Sequence, residues 1–185
     1  MSIQPPGTVA RTLAGWAAVC GVAGVVGILN GGMGARVEKA ATPRDREAVQ
    51  IELVRDAYRF IEDIQKERRH DFDDAYGEWF DERFELLPPP SYPEGAQVFR
   101  GRAGLKRWIA VTQEIWDEWK LTAERFLVAG DQVVVLVRVI AQGHLSGARL
   151  DRETAHIWDI ADGLVTRCEV FLDRSEALRK VEAAS

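Results

Sequence analysis

Residues 150–178 read LDRETAHIWDIADGLVTRCEVFLDRSEAL, and the reading of this stretch decides the fold. Two runs rich in β-branched and aromatic residues flank Asp162-Gly163. Asp-Gly between such runs is a strong hairpin signal, because a two-residue turn of the favoured hand needs φ > 0 at both central positions. The second run stops at Asp173-Arg174-Ser175-Glu176, where an N-cap acid and an N3 glutamate open a helix. Counting outward from an ideal turn puts Ala161 opposite Leu164. His156 then meets Glu169, Trp158 meets Arg167 and Thr154 meets Phe171; on the other face Ile157 meets Cys168, Ala155 meets Val170 and Glu153 meets Leu172. A slip of one residue exchanges every one of these between the faces.

Upstream of this hairpin the β period continues. Residues 119–128, 132–142, 149–160 and 164–172 read as strands, separated by Ala129-Gly130-Asp131, by residues 144–147 and by the Asp162-Gly163 turn. The run Val133–Ile140 is apolar at every position except Arg138. A strand with one wet face alternates, so this one is expected to be covered on both faces, by helices on one and by a second protomer on the other.

Further upstream the period is helical. Thr42-Pro43 suits the start of a helix, and Val49, Leu53, Ala57, Phe60/Ile61 and Ile64 repeat every three to four residues, predicting an amphipathic helix to about Lys66. Phe72, Tyr76 and Trp79/Phe80 predict a short second helix after Asp71. Phe84–Leu87 reads as a brief strand, and Pro88-Pro89-Pro90-Ser91-Tyr92-Pro93-Glu94-Gly95 as an obligatory loop. Leu105, Trp108, Ile109, Thr112, Ile115/Trp116 and Trp119 predict a third helix.

Composition bounds what such a chain does. Its 185 residues suit one domain of about 130–140 residues after an N-terminal extension over 1–46, and 46% hydrophobic residues suffice for a core. A net charge of −5 argues against a broad nucleic-acid surface. Cys20 and Cys168 are far apart and form no metal spacing, and no Gly-rich phosphate loop or Gly-x-Ser-x-Gly nucleophile motif is present. Neither a metal nor a cofactor is implied. The acid-rich stretch around His70, with Asp71, Asp73 and Asp74, lacks a second nearby histidine to suggest otherwise. From Thr12 to Ala35 no residue is charged, and Leu13–Leu29 approaches the roughly 20 residues of a membrane span. Seven glycines between Thr12 and Ala35 weaken a helix there, and a single Arg11 is a thin basic region for an export signal. Residues 13–29 are thus either a membrane anchor or export signal, or part of an unstructured or spurious leader ahead of Met33; the corresponding locations are membrane-anchored or exported, or cytoplasmic.

The order helix, short helix, strand, helix and four-stranded meander resembles the cone-shaped α+β fold of nuclear-transport-factor-2-like proteins. LVRDAYRFI (53–61) resembles their first helix. The stretch from FELLPPPSYPEG (84–95) to VFRGRAGLKRWI (98–109) resembles their strand, proline loop and Gly-led helix. VAGDQVVVLVRVIAQGHLSG (128–147) and AHIWDIADGLVTRCEVFLDRSEAL (155–178) resemble the last strands and closing helix of the SnoaL-like branch. The resemblance covers about residues 47–182. It implies a curved mixed or antiparallel sheet wrapped by about three N-terminal helices, a short C-terminal helix, a small-molecule pocket and a homodimer formed through the sheet. Its members include polyketide cyclases, ketosteroid isomerases, limonene-epoxide hydrolases and non-catalytic binding proteins.

The familiar acids of that family do not carry over. The aspartate that precedes the strand-end aspartate by three residues in cyclases and epoxide hydrolases falls here on Val170, counted from Asp173. The isomerase acid of the oxyanion hole falls at about Ala155, its general-base aspartate near Leu87-Pro88, and its helix-one tyrosine near Ala57, one residue from Tyr58. The resemblance and the ideal register together imply a pocket lined by Ala155, Ile157, Cys168, Val170 and Leu172, with Glu153 as its nearby acid.

Within this frame the candidate catalytic residues are Glu153, His156 and Glu169. A carboxylate opposite His156 orients the imidazole and raises its pKa, giving an acid–base pair, or else a cross-strand ion pair at a dimer face. Glu153 is either a buried acid of raised pKa or a solvated member of the Asp151-Arg152-Glu153 cluster. The candidate substrate-binding residues are Tyr58, Trp79, Trp116, Arg138, Ile157 and Val170. Arg138 anchors an anionic or carbonyl group or forms a salt bridge; Tyr58 donates a hydrogen bond or packs; Trp79, Trp108, Trp116 and Trp119 line an apolar cavity or build core. The expected function is binding of an apolar small molecule, with cofactor-independent isomerase, cyclase, dehydratase or hydrolase chemistry as the alternative. A third reading is an interaction module held to a membrane by residues 13–29.

Overall fold

The computed structural model describes residues 42–69, 71–92 and 96–183. Residues 13–29, His70 and the final part of the proline loop therefore lie outside the described residues.

Helix α1 spans Pro43–Glu67. Thr42 opens it with a reciprocal cap: its hydroxyl accepts from the Asp45 amide at 3.2 Å, and the Asp45 carboxylate accepts from the Thr42 amide at 2.8 Å. Pro43 occupies the first turn, where an amide would have no partner anyway. Val54, Ala57, Tyr58, Ile61 and Ile64 form its buried stripe. The short α2 (Asp73–Tyr76) leads into β1 (Phe80–Leu87), and β2 (Phe99–Arg100) leads directly into α3 (Gly101–Ile115). Gly101 is required where it stands: its φ is +59°, and a Cβ there would lie 2.7 Å from the Glu82 carbonyl oxygen.

The third helix ends four residues before the expected Trp119. Trp116 is already extended, and β3 runs from Trp116 to Ala129. The reason is a pattern that serves both periods. Ile115, Trp116 and Trp119 fit a helical stripe, but Trp119, Leu121 and Ala123 alternate, and all three pack under the helices as strand residues.

Strands β4 (Gln132–Gly143), β5 (Arg149–Ala161) and β6 (Leu164–Phe171) complete a six-stranded sheet in the order β2-β1-β6-β5-β4-β3. Only β1 and β6 pair in parallel; every other neighbour is antiparallel. Helix α4 (Arg174–Glu182) follows, with the Asp173 carboxylate accepting from the Ser175 amide at 2.8 Å. This is the expected α+β cone, with a mixed sheet, N-terminal helices and a short C-terminal helix.

One face of β4 is buried along its length and the other only near its start, for different reasons. Val133, Val135, Val137 and Val139 face α1 and α3 in the main core. Val134 faces the opposite way and packs with Ala155, Ile157 and Phe171 against Ala177 and Val181 of α4. The cover expected from a second protomer is thus supplied at this end of the sheet by the chain's own last helix. Beyond α4 the same outer face carries Leu136, the exposed Arg138 and Ile140, which is 42% exposed.

The Asp162-Gly163 turn has φ of 51° and 77°, as two-residue hairpins demand. Ala161 pairs with Leu164 and Ile160 with Val165, as counted. The next pair is Asp159 with Arg167, so Thr166 is an extra residue on β6, and its hydroxyl donates to the Asp159 carbonyl at 3.2 Å. A β-bulge of one residue moves every later partner by one. His156 therefore pairs with Val170, not Glu169; Trp158 pairs with Cys168, Ile157 with Glu169, and Ala155 with Phe171.

Candidate functional site

The bulge decides which side chains reach the site. With the slip, Thr154, His156, Trp158 and Ile160 point toward the helices together with Cys168 and Val170, while Glu153, Ala155 and Ile157 point toward α4. A cavity lies between this face and the helices. Its walls are Tyr58 and Ile61 of α1, Phe84 and Leu86 of β1, and Leu105 and Trp108 of α3. The sheet adds Trp119, Leu121, Val139, His156, Trp158, Cys168 and Val170, and Pro88 and Tyr92 come from the proline loop. The cavity is about 40 Å³, enough for a few waters. None of these lining residues is Asp, Glu, Lys or Arg. A more open groove of about 230 Å³ shares Tyr58, Trp119 and Leu121 with the cavity and brings Arg55, Arg59 and Glu62 to its outer side.

The hydrogen-bonded polar feature of the wall is a buried chain of three side chains. Trp158 Nε1–H donates to Tyr58 Oη at 3.1 Å, and Tyr58 Oη lies 2.7 Å from His156 Nδ1. The Tyr58 and His156 rings stack at 5.8 Å with 21° between their planes, and Trp158 meets Tyr58 edge-on at 5.0 Å. Burial penalises the imidazolium, so the pKa of His156 falls to about 3. Burial, with a smaller contribution from Cys168, pushes the Tyr58 phenol well above its ordinary range. The Cys168 thiol is likewise pushed up by burial and stays protonated. At neutral pH this cluster carries no charge: it can donate and accept hydrogen bonds, but it contains neither a ready anion nor a ready cation.

The nine residues singled out by sequence fall in different places. Tyr58, His156 and Val170 line the cavity. Glu153 is exposed on the α4 side, 3.3 Å from Arg174. Glu169 also lies on that side, paired with Lys180 at 2.7 Å and Arg167 at 2.9 Å, so the expected His156–Glu169 pair does not form. Ile157 is buried against α4, not in the cavity. Arg138 is exposed on the outer face and holds Asp151 with two bonds of 2.8 and 2.7 Å. Trp79 packs on Phe60 at 4.8 Å, and Trp116 lines a separate open groove beside the end of α1. The position carried over from the isomerase oxyanion hole, Ala155, is turned to α4; the neighbouring His156 is turned to the cavity.

Of the four tryptophans read as cavity or core, Trp108 and Trp119 line the cavity; Trp158 and Leu121 line it without having been singled out for it. The alternation of β5 alone does not reveal them, because both of its faces are apolar: Ala155 and Ile157 are as buried as Trp158. The separation of 98 residues between Tyr58 and His156 hides their contact in the same way.

Among the described residues no cluster of His, Cys, Asp and Glu is arranged to hold a metal ion, and no helix is long and apolar enough to cross a membrane.

A family model described as a SnoaL-like domain matches residues 41–168. No curated protein matches the chain. Among solved structures, TerC co-crystallized with polyporic acid is similar at 23% identity, covering 72% of this chain and 98% of its own, with a TM-score of 0.55. A putative SnoaL-like polyketide cyclase from Jannaschia sp. CCS1 is similar at 22% identity over 74% of this chain and 93% of its own, TM-score 0.54. SalBIII, an epoxide hydrolase/cyclase-like enzyme of pyran ring formation in the polyether salinomycin, is similar at 16% identity over 70% and 94%, TM-score 0.52. At these identities the likeness is one of fold.

Proposed function

The chain belongs to the SnoaL-like domain family, and from that premise we propose that it binds an apolar small molecule in the cavity between α1, α3 and the sheet. The observation that carries this reading is a cavity wall free of charged side chains whose polar groups, the hydrogen-bonded Tyr58, His156 and Trp158 chain and the Tyr92 phenol, are uncharged. Such a wall favours apolar ligands and disfavours ions, which lose their hydration on burial. The cavity is small as it stands, and a ligand enters as the half-buried Trp119 and Leu121 shift toward the adjoining groove. Three tryptophans line the cavity, so titrating the full chain with naphthalene should quench or shift their fluorescence saturably. Val170→Trp, which fills the space, should abolish the effect. An unchanged response in that variant would sink the reading.

A second reading is cofactor-independent acid–base chemistry, favoured by the hydrogen-bonded His156 and Tyr58 pair inside the cavity. Glu153 and Glu169 stand on the opposite face, so proton transfer would fall to His156 and Tyr58. In that case His156→Gln abolishes turnover and leaves ligand affinity within a few-fold; loss of affinity alone would favour binding without chemistry.

The outer face beyond α4, with Leu136, Ile140 and the Arg138–Asp151 pair, is the surface through which we propose a homodimer. Light scattering of the full chain should report a dimer that Ile140→Lys converts to monomer; a monomer in both would remove the proposal. We place the protein in the cytoplasm, against the alternative of anchoring or export through residues 13–29. Fractionation of cells expressing the full chain decides between them.

A further inference from the structure

The geometry points to His156 as the residue that fixes ligand orientation: we propose that it presents Nε2–H to the cavity as a locked, uncharged hydrogen-bond donor, with Tyr58 and Trp158 as the positioning residues that lock it. The ligand class that follows is a neutral compound with a carbonyl-type acceptor on an apolar frame. This deepens the binding reading above and rests on it.

The assignment comes from counting protons along the buried chain. An indole nitrogen only donates, so Tyr58 Oη is the acceptor of the 3.1 Å bond from Trp158. The phenol has a single proton, and among the described residues His156 Nδ1, at 2.7 Å, is the one acceptor within its reach, so we assign the proton to that bond. A neutral imidazole has one donor nitrogen and one acceptor nitrogen, so an accepting Nδ1 leaves the ring proton on Nε2. Nε2 has no hydrogen-bond partner among the described residues and is not one of the occluded, unpartnered polar atoms. The Tyr58 ring stacks on the imidazole and is itself braced edge-on by Trp158, which fixes the imidazole plane from one side.

Selectivity follows from the same wall. A hydrocarbon of matching shape leaves Nε2–H desolvated with nothing to bond, and a carboxylate brings a charge to a wall with no cation. A ketone satisfies the donor and brings no charge.

The tautomer is measurable without a ligand. The chain has three histidines, so long-range proton–nitrogen correlation of the full chain labelled with nitrogen-15 histidine resolves each ring, with His156→Gln assigning the signal. The expected result near neutral pH is a protonated Nε2 and a bare Nδ1 for His156, with Tyr58→Phe shifting that ring toward a mixture of tautomers. A protonated Nδ1 in the native chain overturns the proposal. Acetophenone, α-methylstyrene and benzoate, which share one frame, then test selectivity by tryptophan fluorescence. Acetophenone should bind at least about tenfold tighter than either of the others, and Tyr58→Phe should narrow that margin. Equal binding of acetophenone and α-methylstyrene leaves the apolar-cavity reading standing and removes this one. Binding of none of the three at millimolar concentration removes both.

Discussion

His156 is buried without a counter-charge, and that makes it a liability in acid. In the unfolded chain an imidazole titrates near 6.5, whereas in the folded chain burial lowers the value to about 3. Between those values the unfolded chain takes up a proton that the folded chain refuses. Stability is therefore undiminished by this residue above about pH 6.5 and declines as pH falls toward about 3. Well inside that window the decline approaches ~1.4 kcal/mol per pH unit. His156→Gln keeps an acceptor for Tyr58 and removes the titration, so urea denaturation between about pH 6.5 and 4 should show a shallower loss for the variant, by about 1 kcal/mol per pH unit. Parallel slopes would mean that water or a cation-stabilising group reaches the ring. Arg174 is the other residue whose role is legible from its bonds alone. From the start of α4 it donates to the Thr154 and Val137 carbonyls at 3.1 and 2.9 Å and pairs with Glu124 at 2.6 Å. Arg174→Met keeps the aliphatic packing and leaves those groups unpartnered, which should cost about 1–3 kcal/mol of unfolding free energy in urea. A loss below about 0.5 kcal/mol would show that water replaces the guanidinium without penalty.

Among the elements, the β5–β6 hairpin turns on Thr166. Its one extra residue places Cys168 and Val170 on the cavity face and Glu169 on the α4 face. Deleting Thr166 restores the uninterrupted count, in which Cys168 and Val170 exchange faces with Arg167 and Glu169. Two charged side chains would then point into an apolar wall, so the shortened strand should either expose Cys168 or fail to pack. Thiol labelling separates these from the native state: Cys168, 2% exposed, should be protected in the native chain and labelled rapidly after the deletion. Continued protection would mean that the strand absorbs the loss elsewhere. The same bulge explains what the sequence made legible. The Asp162-Gly163 turn, the Asp173 cap, the helix from Thr42-Pro43 and the succession of strands are local signals, and each stands where its residues put it. The bulge has no such signal, because Thr166 is as good a strand residue as its neighbours. The pairings counted past it are each off by one: the His156–Glu169 pair dissolved, and of the inferred wall Cys168 and Val170 line the cavity while Ala155 and Ile157 became the seat of α4. The end of α3 was hidden for a related reason, since Trp116 and Trp119 satisfy either period.

At the scale of the whole domain, the sheet separates two tasks. The face toward α1 and α3 holds the cavity and its uncharged hydrogen-bond chain; the opposite face holds α4, the Arg174 contacts and the ion pairs of Glu153 and Glu169. If the separation is real, substitutions on the two faces should dissociate. Ala177, 0% exposed, sits where α4 meets Ile157 and Phe171, and Ala177→Gly opens that contact while weakening the helix. Loss of a buried methyl group together with helix propensity should cost about 1–2 kcal/mol in denaturation and shift ligand affinity by less than about twofold. Leu121→Trp, on the cavity side of β3, should do the reverse. Its bulk occupies the passage between the cavity and the adjoining groove, so naphthalene affinity should fall at least about tenfold, with a stability change that half-burial keeps to about 1–3 kcal/mol or less. Coupling in the other direction is the informative failure. If Ala177→Gly weakens binding as strongly as Leu121→Trp, then the valines and tryptophans packed between the two faces transmit strain through the sheet, and α4 belongs to the binding machinery as well as to the fold.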